Sequence, residues 1–373
     1  MDGGGIMTGL VSGEDCLALV SAEAAALAPL AAAVDRDGVY PEERMARLGA
    51  AGAFGLHLAG HTRLAAPSLT AAIEAMAIVS AECMSTGFCM WCQDSAGWYL
   101  EHSANADLRA RLQPDIAAGR LKAGTGLSNP VKAISGTEPF RLRGERVTGG
   151  YVVTGVLPWV SNLGDSHWLA TVFELTDTTQ HWVMAMLQIG QEGVSLKRNA
   201  RFIALEGTAT YSVLVRQAFI PDELVLADPV EEIMPRIKPG FIMLQTGMGL
   251  GVTDAAARLM READRTQGHC NTHLPLRAAQ VEARADALRA RLTALAATPA
   301  ETSPEMLREV LKLRLDVSET CLEAVQAALL HWGAPGYLEG SQLHRRLREA
   351  WFVAIITPSI RHLRSELARL EEG

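Results

Sequence analysis

Apolar positions along this chain change period twice. Between residues 14 and 120 they recur at helical spacing. Cys16 to Val34 is mostly Ala and Leu, with Pro29 as an interruption. Tyr40-Pro41-Glu42-Glu43 reads as a helix start with Pro in its first turn, and Gly52 and Gly55 end the segment that follows. Ser68 is placed to cap an alanine-rich helix running to Ala81, and Leu108 to Gly119 gives another helix with a glycine stop. From 121 to about 228, β-branched residues cluster and alternation replaces the helical period. The helical period then returns in segments near 241–268, 275–297 and 304–333 and a shorter one at 341–370, with Ser303 placed to cap the third. The pattern predicts an α+β chain: an N-terminal helical domain (1–120), a middle β-domain (121–228) and a C-terminal four-helix bundle (229–373).

The stretch Gly144 to Phe173 organises the middle domain. Val147-Thr148 and Tyr151-Val152-Val153 flank Gly149-Gly150, which is a hairpin signal. Pro158-Trp159-Val160-Ser161-Asn162-Leu163-Gly164 follows, then the apolar run from Trp168. A Trp with a hydroxyl two residues on, held between strands, suits a flat heteroaromatic ligand: the indole covers a ring face and Ser161 reaches a ring heteroatom. A plain sheet with one core Trp fits these residues equally well.

Gly150, Tyr151, Gly155, Trp159, Val160, Ser161, Asn162 and Gly164 resemble the middle-domain segment of the acyl-CoA dehydrogenase superfamily, with Thr154 and Pro158 departing from it. Leu48 to Leu56 and Gln113 to Gly119 resemble two segments of that family's N-terminal domain. Ala328 to Ala350 resembles its C-terminal signature through Gly333, Gly336, Tyr337, Leu343, Arg345, Arg348 and Ala350, with Leu330 and Ala334 as departures. The resemblance implies an acyl-CoA dehydrogenase fold, with a β-barrel-like middle domain, and FAD shared across a subunit interface. It implies cofactor contacts from Thr125, Leu127, Ser128, Ser135, Trp159, Ser161, Arg265, Trp332, Gly333, Ala334, Ser359 and Arg361. It also implies that Arg348 and Glu349 keep the family's Arg–Asp pair.

The family's catalytic glutamate falls on Thr357, and a neutral hydroxyl cannot take an α-proton near neutral pH. The family's other base position, around Lys238 to Met243, holds no carboxylate either. The implied function is an FAD-dependent oxygenase acting on an acyl-CoA thioester or a small cyclic or aromatic substrate. The alternatives are a dehydrogenase with its base elsewhere, His331 being one candidate, and an inactive binding subunit.

Composition narrows the partners. Net charge of −8 disfavours nucleic acid. No apolar run is read as approaching a membrane span, and MDGGGIMTG lacks a basic secretory n-region, so a cytoplasmic protein is expected. Cys89 and Cys92 have C-x-x-C spacing without a second pair or a His cluster, so the six cysteines are read as reduced thiols and no metal is expected. Expected partners are a small-molecule substrate, a flavin reductase or electron-transfer flavoprotein, and further copies of the chain in a homodimer or homotetramer.

Overall fold

The computed structural model describes residues 12–178 and 180–372; the MDGGGIMTG stretch lies outside them. Helices come first: α1 (Gly13–Leu27), α2 (Ala31–Asp37), α3 (Glu42–Ala50), α4 (Leu69–Glu82), α5 (Met84–His102) and α6 (Ala106–Ala117). Ser68 Oγ caps α4 by accepting from the Ala71 N–H. Every residue of α5 from Met84 to Leu100 is buried, Cys89 and Cys92 included, and all six cysteines are free.

Gly13–Asp37 is, by length and composition, apolar enough to cross a membrane, which overturns the expectation that no run qualifies. Its alanines carry that character. In the fold, Val20, Ala24, Leu27, Ala31 and Val34 form one buried stripe, and α1 packs on α4.

The middle region is built on β1 (Ala123–Thr125), α7 (Ser128–Ile134), β2 (Leu142–Val147), β3 (Gly150–Val160), β4 (Trp168–Leu175), β5 (Trp182–Gln188), β6 (Val194–Lys197), β7 (Tyr211–Pro221) and β8 (Val225–Ala227). The strands form one sheet in the order β6-β7-β3-β2-β4-β5-β8, with β1 parallel to β4. Val147 pairs with Gly150 across the hairpin, and Gly149 adopts φ 79°, a conformation that glycine takes without a Cβ penalty. The helix α7 interrupts the span predicted as a β-domain; Ser128-Asn129-Pro130, with Pro in the first turn, is its signal.

The remainder is α8 (Met234–Leu244), α9 (Thr246–Asn271), α10 (Ala278–Ala296), α11 (Pro304–Trp332), α12 (Gln342–Ile355) and α13 (Ile360–Glu372). Ser303 caps α11 by accepting from the Met306 N–H. Helix α9 lies tight on α4: a Cβ on Gly251 would stand 2.2 Å from the Ala77 carbonyl oxygen. The single segment read at 341–370 is two helices, broken between Ile355 and Ile360, and Thr357 stands in that break.

Candidate functional site

The break after α12 places Thr357 against α7. Thr357 Oγ1 is 2.9 Å from Ser128 Oγ, and the Thr357 carbonyl accepts a 2.8 Å bond from Gln245 Nε2 at the α8–α9 junction. Leu127 is buried beneath Ser128. Two residues earlier, Thr125 Oγ1 lies 2.8 Å from the Tyr99 hydroxyl. Burial pushes the Tyr99 phenol well up, so it stays protonated at any working pH.

On β3, Trp159 is 63% exposed, so it is not the core Trp of a plain sheet. Its ring meets Phe202 edge-on at 6.5 Å. Just past β3, Ser161 Oγ is 2.5 Å from Thr210 Oγ1, which is 2.8 Å from Thr208 Oγ1. Next to Phe202, Ile203 is exposed, and its carbonyl accepts from Arg348 on α12. Trp351 and Ile355 are exposed on α12, one and two turns further along. A solvent-facing apolar strip therefore runs from the sheet along α12 toward Thr357. An exposed indole and a hydroxyl cluster at the end of one strand suit a flat polar ring; exposing an indole without a partner forfeits apolar burial.

Other residues named from the sequence lie elsewhere. Ser135 ends α7, where its Oγ donates to the Lys132 carbonyl at 2.9 Å. Ser359 stands ahead of α13, its Oγ accepting from the His362 N–H, and Arg361 is exposed on that helix. Arg265 is exposed on α9. The Trp332 indole N–H donates to the Leu259 carbonyl at 2.8 Å, so this ring is held on α9. Gly333, with φ 61°, and Ala334 follow at the end of α11, beside a cavity of about 180 Å³ lined by Leu259, Trp332, Pro335 and Leu343. Among the described residues, no hydrogen bond or ring contact joins Arg265, Trp332, Gly333 or Ala334 to Trp159 or to the Ser128–Thr357 pair, and none joins Trp159 to that pair. The expected cofactor residues of one chain thus fall into separate contact groups.

Arg348 and Glu349, which stand at the family's adjacent Arg–Asp positions, take different partners. Arg348 pairs with Asp35 at 2.6 Å, while Glu349 is buried between Arg345 (2.8 Å) and Arg346 (2.7 Å). Residues i and i+1 on a helix point apart, whereas i, i+3 and i+4 share a face.

The proton chemistry available near Thr357 is limited. Glu366 receives bonds from Lys238 at 3.0 Å and His362 at 3.1 Å. Burial alone would raise its carboxyl, but the His362 bond and the Lys238 ammonium outweigh burial and hold it down to about 2. Such a carboxylate is too weak a base for an α-proton. His331 is fully buried, with Nδ1 3.0 Å from Asp264 Oδ1 and Nε2 2.9 Å from the Leu276 carbonyl. Both its nitrogens are engaged, Nδ1 with Asp264 on α9 and Nε2 with the link between α9 and α10, which removes it as the alternative base. Sequence reasoning missed Tyr99, Thr210, Gln245, Phe202 and Arg314. Of these, Arg314 carried a signal, as a charge within the apolar stripe Val310, Leu311, Leu313 and Val317.

With this geometry in place, the comparisons define the class. Residues 20–120 match the family profile described as acyl-CoA dehydrogenase, N-terminal domain. A probable acyl-CoA dehydrogenase of Mycobacterium leprae is 23% identical over 338 residues, covering 87% of this chain and 86% of its own length. Butyryl-CoA dehydrogenase from Megasphaera elsdenii superposes with a TM-score of 0.86 at 15% identity, over 100% of both chains. The TdsC protein of a Paenibacillus species, a dibenzothiophene monooxygenase solved with FMN and indole, superposes with a TM-score of 0.81 at 15% identity, over 95% and 96% of the two chains. The chain carries the acyl-CoA dehydrogenase fold, with that family's N-terminal domain at 20–120.

Proposed function

We propose that this protein is a flavin-dependent oxidoreductase that binds FAD and works as an oxygenase on a compact cyclic or aromatic substrate or a short acyl thioester. The observation that carries the reading is Thr357, a neutral hydroxyl bonded to Ser128 where a dehydrogenase of this fold needs a base. The flanking carboxylates Glu349 and Glu366 are already held by cations. When bound, the flavin supplies hydride and oxygen chemistry. The chain's own part is to cover the ring with Trp159, to offer hydroxyls from Ser161, Thr210 and Ser128, and to orient the substrate away from water.

Substrate size follows from the interior behind the site. Tyr99, bonded to Thr125, meets Phe241 at 6.2 Å; Phe241 meets Trp91 at 5.1 Å; Trp91 stacks on Phe88 at 5.6 Å; and Phe88 meets Phe352 at 4.7 Å. These rings, buried except for the half-buried Phe352, pack between α5, α8 and α12, and packed rings give way to a long chain only at a cost in contacts. A dehydrogenase with an unassigned base is the second reading, which the matched relatives favour by name. Stoichiometric incorporation of labelled oxygen into product is the test between the two.

The Trp159→Ala variant is expected to lose FAD affinity, by on the order of 1 kcal/mol beyond the lost apolar area. Titration calorimetry reads this directly, and a folded wild-type protein that takes up no FAD would remove the cofactor assignment. The divided cofactor residues and the exposed Tyr337, Leu338, Trp351 and Ile355 support a shared site in a homodimer or homotetramer. Light scattering at micromolar concentration is expected to show two or four copies. A monomer with full FAD occupancy would rule out the shared site.

A further inference from the structure

We propose that Arg314 and Gln245 are positioning residues that hold the Thr357 segment against Ser128. Arg314 is fully buried on α11. Its Nε donates to Gln245 Oε1 at 3.0 Å, its second terminal nitrogen donates to the Val353 carbonyl in the last turn of α12 at 2.8 Å, and its first donates to Ser318. None of these partners is an anion, and among the described residues no carboxylate forms an ion pair or hydrogen bond with Arg314. A buried guanidinium without a counter-ion is costly, so the arrangement is not explained by stability.

Its geometric effect is specific. A glutamine side chain can present either its oxygen or its NH2 to a neighbour. The guanidinium takes the oxygen, so the NH2 must face the Thr357 carbonyl, where it donates at 2.8 Å. With the carbonyl fixed and the Val353 end of α12 held by the same guanidinium, the Thr357 hydroxyl is kept 2.9 Å from Ser128 Oγ. One buried fork thus locks three parts of the chain: the end of α12, the α8–α9 junction and the break before α13. The assignment rests on reading Thr357 and Ser128 as the lining of the reacting site.

The Gln245→Glu variant separates positioning from stability. The carboxylate gives Arg314 a counter-ion but removes the donor and sets oxygen against the Thr357 carbonyl. The full-length protein, with no flavin or substrate added, is compared with wild type by thermal melting and by hydrogen exchange read by mass spectrometry. The expected result is a melting temperature equal to or above wild type, with exchange at Ile356, His362 and Leu363 faster by about 10-fold, the loss of one net hydrogen bond. Arg314→Lys keeps the charge without the fork, and the same local loosening is expected. Wild-type exchange at these amides in a folded variant would overturn the proposal. So would loosening spread evenly over α9 and α11, or loss of folding in both variants, because either would make the pair ordinary core. No turnover is measured, so this test succeeds or fails independently of the oxygenase reading.

Discussion

Oxidised wild-type protein carrying FAD is expected to leave straight-chain acyl-CoA unconverted, and Thr357→Glu is expected to gain slow α,β-dehydrogenation. Removing a proton α to a thioester needs a positioned base, which typically contributes about 10²–10⁴-fold. Thr357 holds its own proton and spends its hydroxyl on Ser128. Glu349 lies between two arginines, and Glu366 is held down to about 2, so neither substitutes. A glutamate at 357 would stand where Gln245 still fixes the backbone carbonyl, with Ser128 within reach of its carboxylate. The same substitution is expected to abolish oxygen transfer, because a carboxylate brings charge and water into the site. Anaerobic mixing with an acyl-CoA series, followed by flavin absorbance and product analysis, measures both effects.

The second large effect concerns stability. Asp94 is fully buried in α5, and neither of its carboxyl oxygens has a hydrogen-bond partner among the described residues. Burial pushes its carboxyl well above the usual range. A group whose folded pKa is raised stabilises the fold fully below its unfolded pKa, about 3.9. That stability is lost as pH rises through the folded value. Above the unfolded value, unfolded Asp ionises before the buried acid does, so wild-type stability is expected to fall with rising pH, by up to about 1.4 kcal/mol per pH unit from this group. His57, held down to about 4 by burial, acts in the opposite sense while unfolded His loses its proton around pH 6.5, so the Asp94 slope is read above about pH 7.5, where His57 is neutral in both states. The Asp94→Asn variant cannot titrate, so denaturant unfolding is expected to give a flatter pH dependence than wild type. Parallel slopes for the two proteins would show that Asp94 titrates normally.

Much of the architecture was legible because apolar period and caps act locally. Ser68 and Ser303 capped the helices they were placed to cap, and the 147–150 hairpin formed where two glycines met β-formers. What was not legible depends on partners distant in sequence. Whether Trp159 faced a ligand or a core turned on which side of β3 the rest of the sheet covered. The α12–α13 break is invisible to a helical period that runs through it; Pro358 is the one local mark it leaves. The partners of Arg348 and Glu349 were not legible either, because helix geometry joins Glu349 to Arg345 and Arg346 and leaves Arg348 to Asp35. The membrane-length run spans Pro29, which reads locally as an interruption, although the alanines and leucines on both sides count as apolar in any window of that size. Gln245 acquires its role only when α11 brings Arg314 to it, 69 residues away in sequence.

The most direct measurement is single turnover of the FAD-loaded protein in two halves: oxidised protein mixed anaerobically with acyl-CoA thioesters, then reduced protein mixed with substrate and ¹⁸O₂. The expected result is an unbleached flavin spectrum in the first half and labelled oxygen in the product of the second. Rapid bleaching with enoyl-CoA formed, and no label in any product, would contradict it and require a base within reach of the α-carbon.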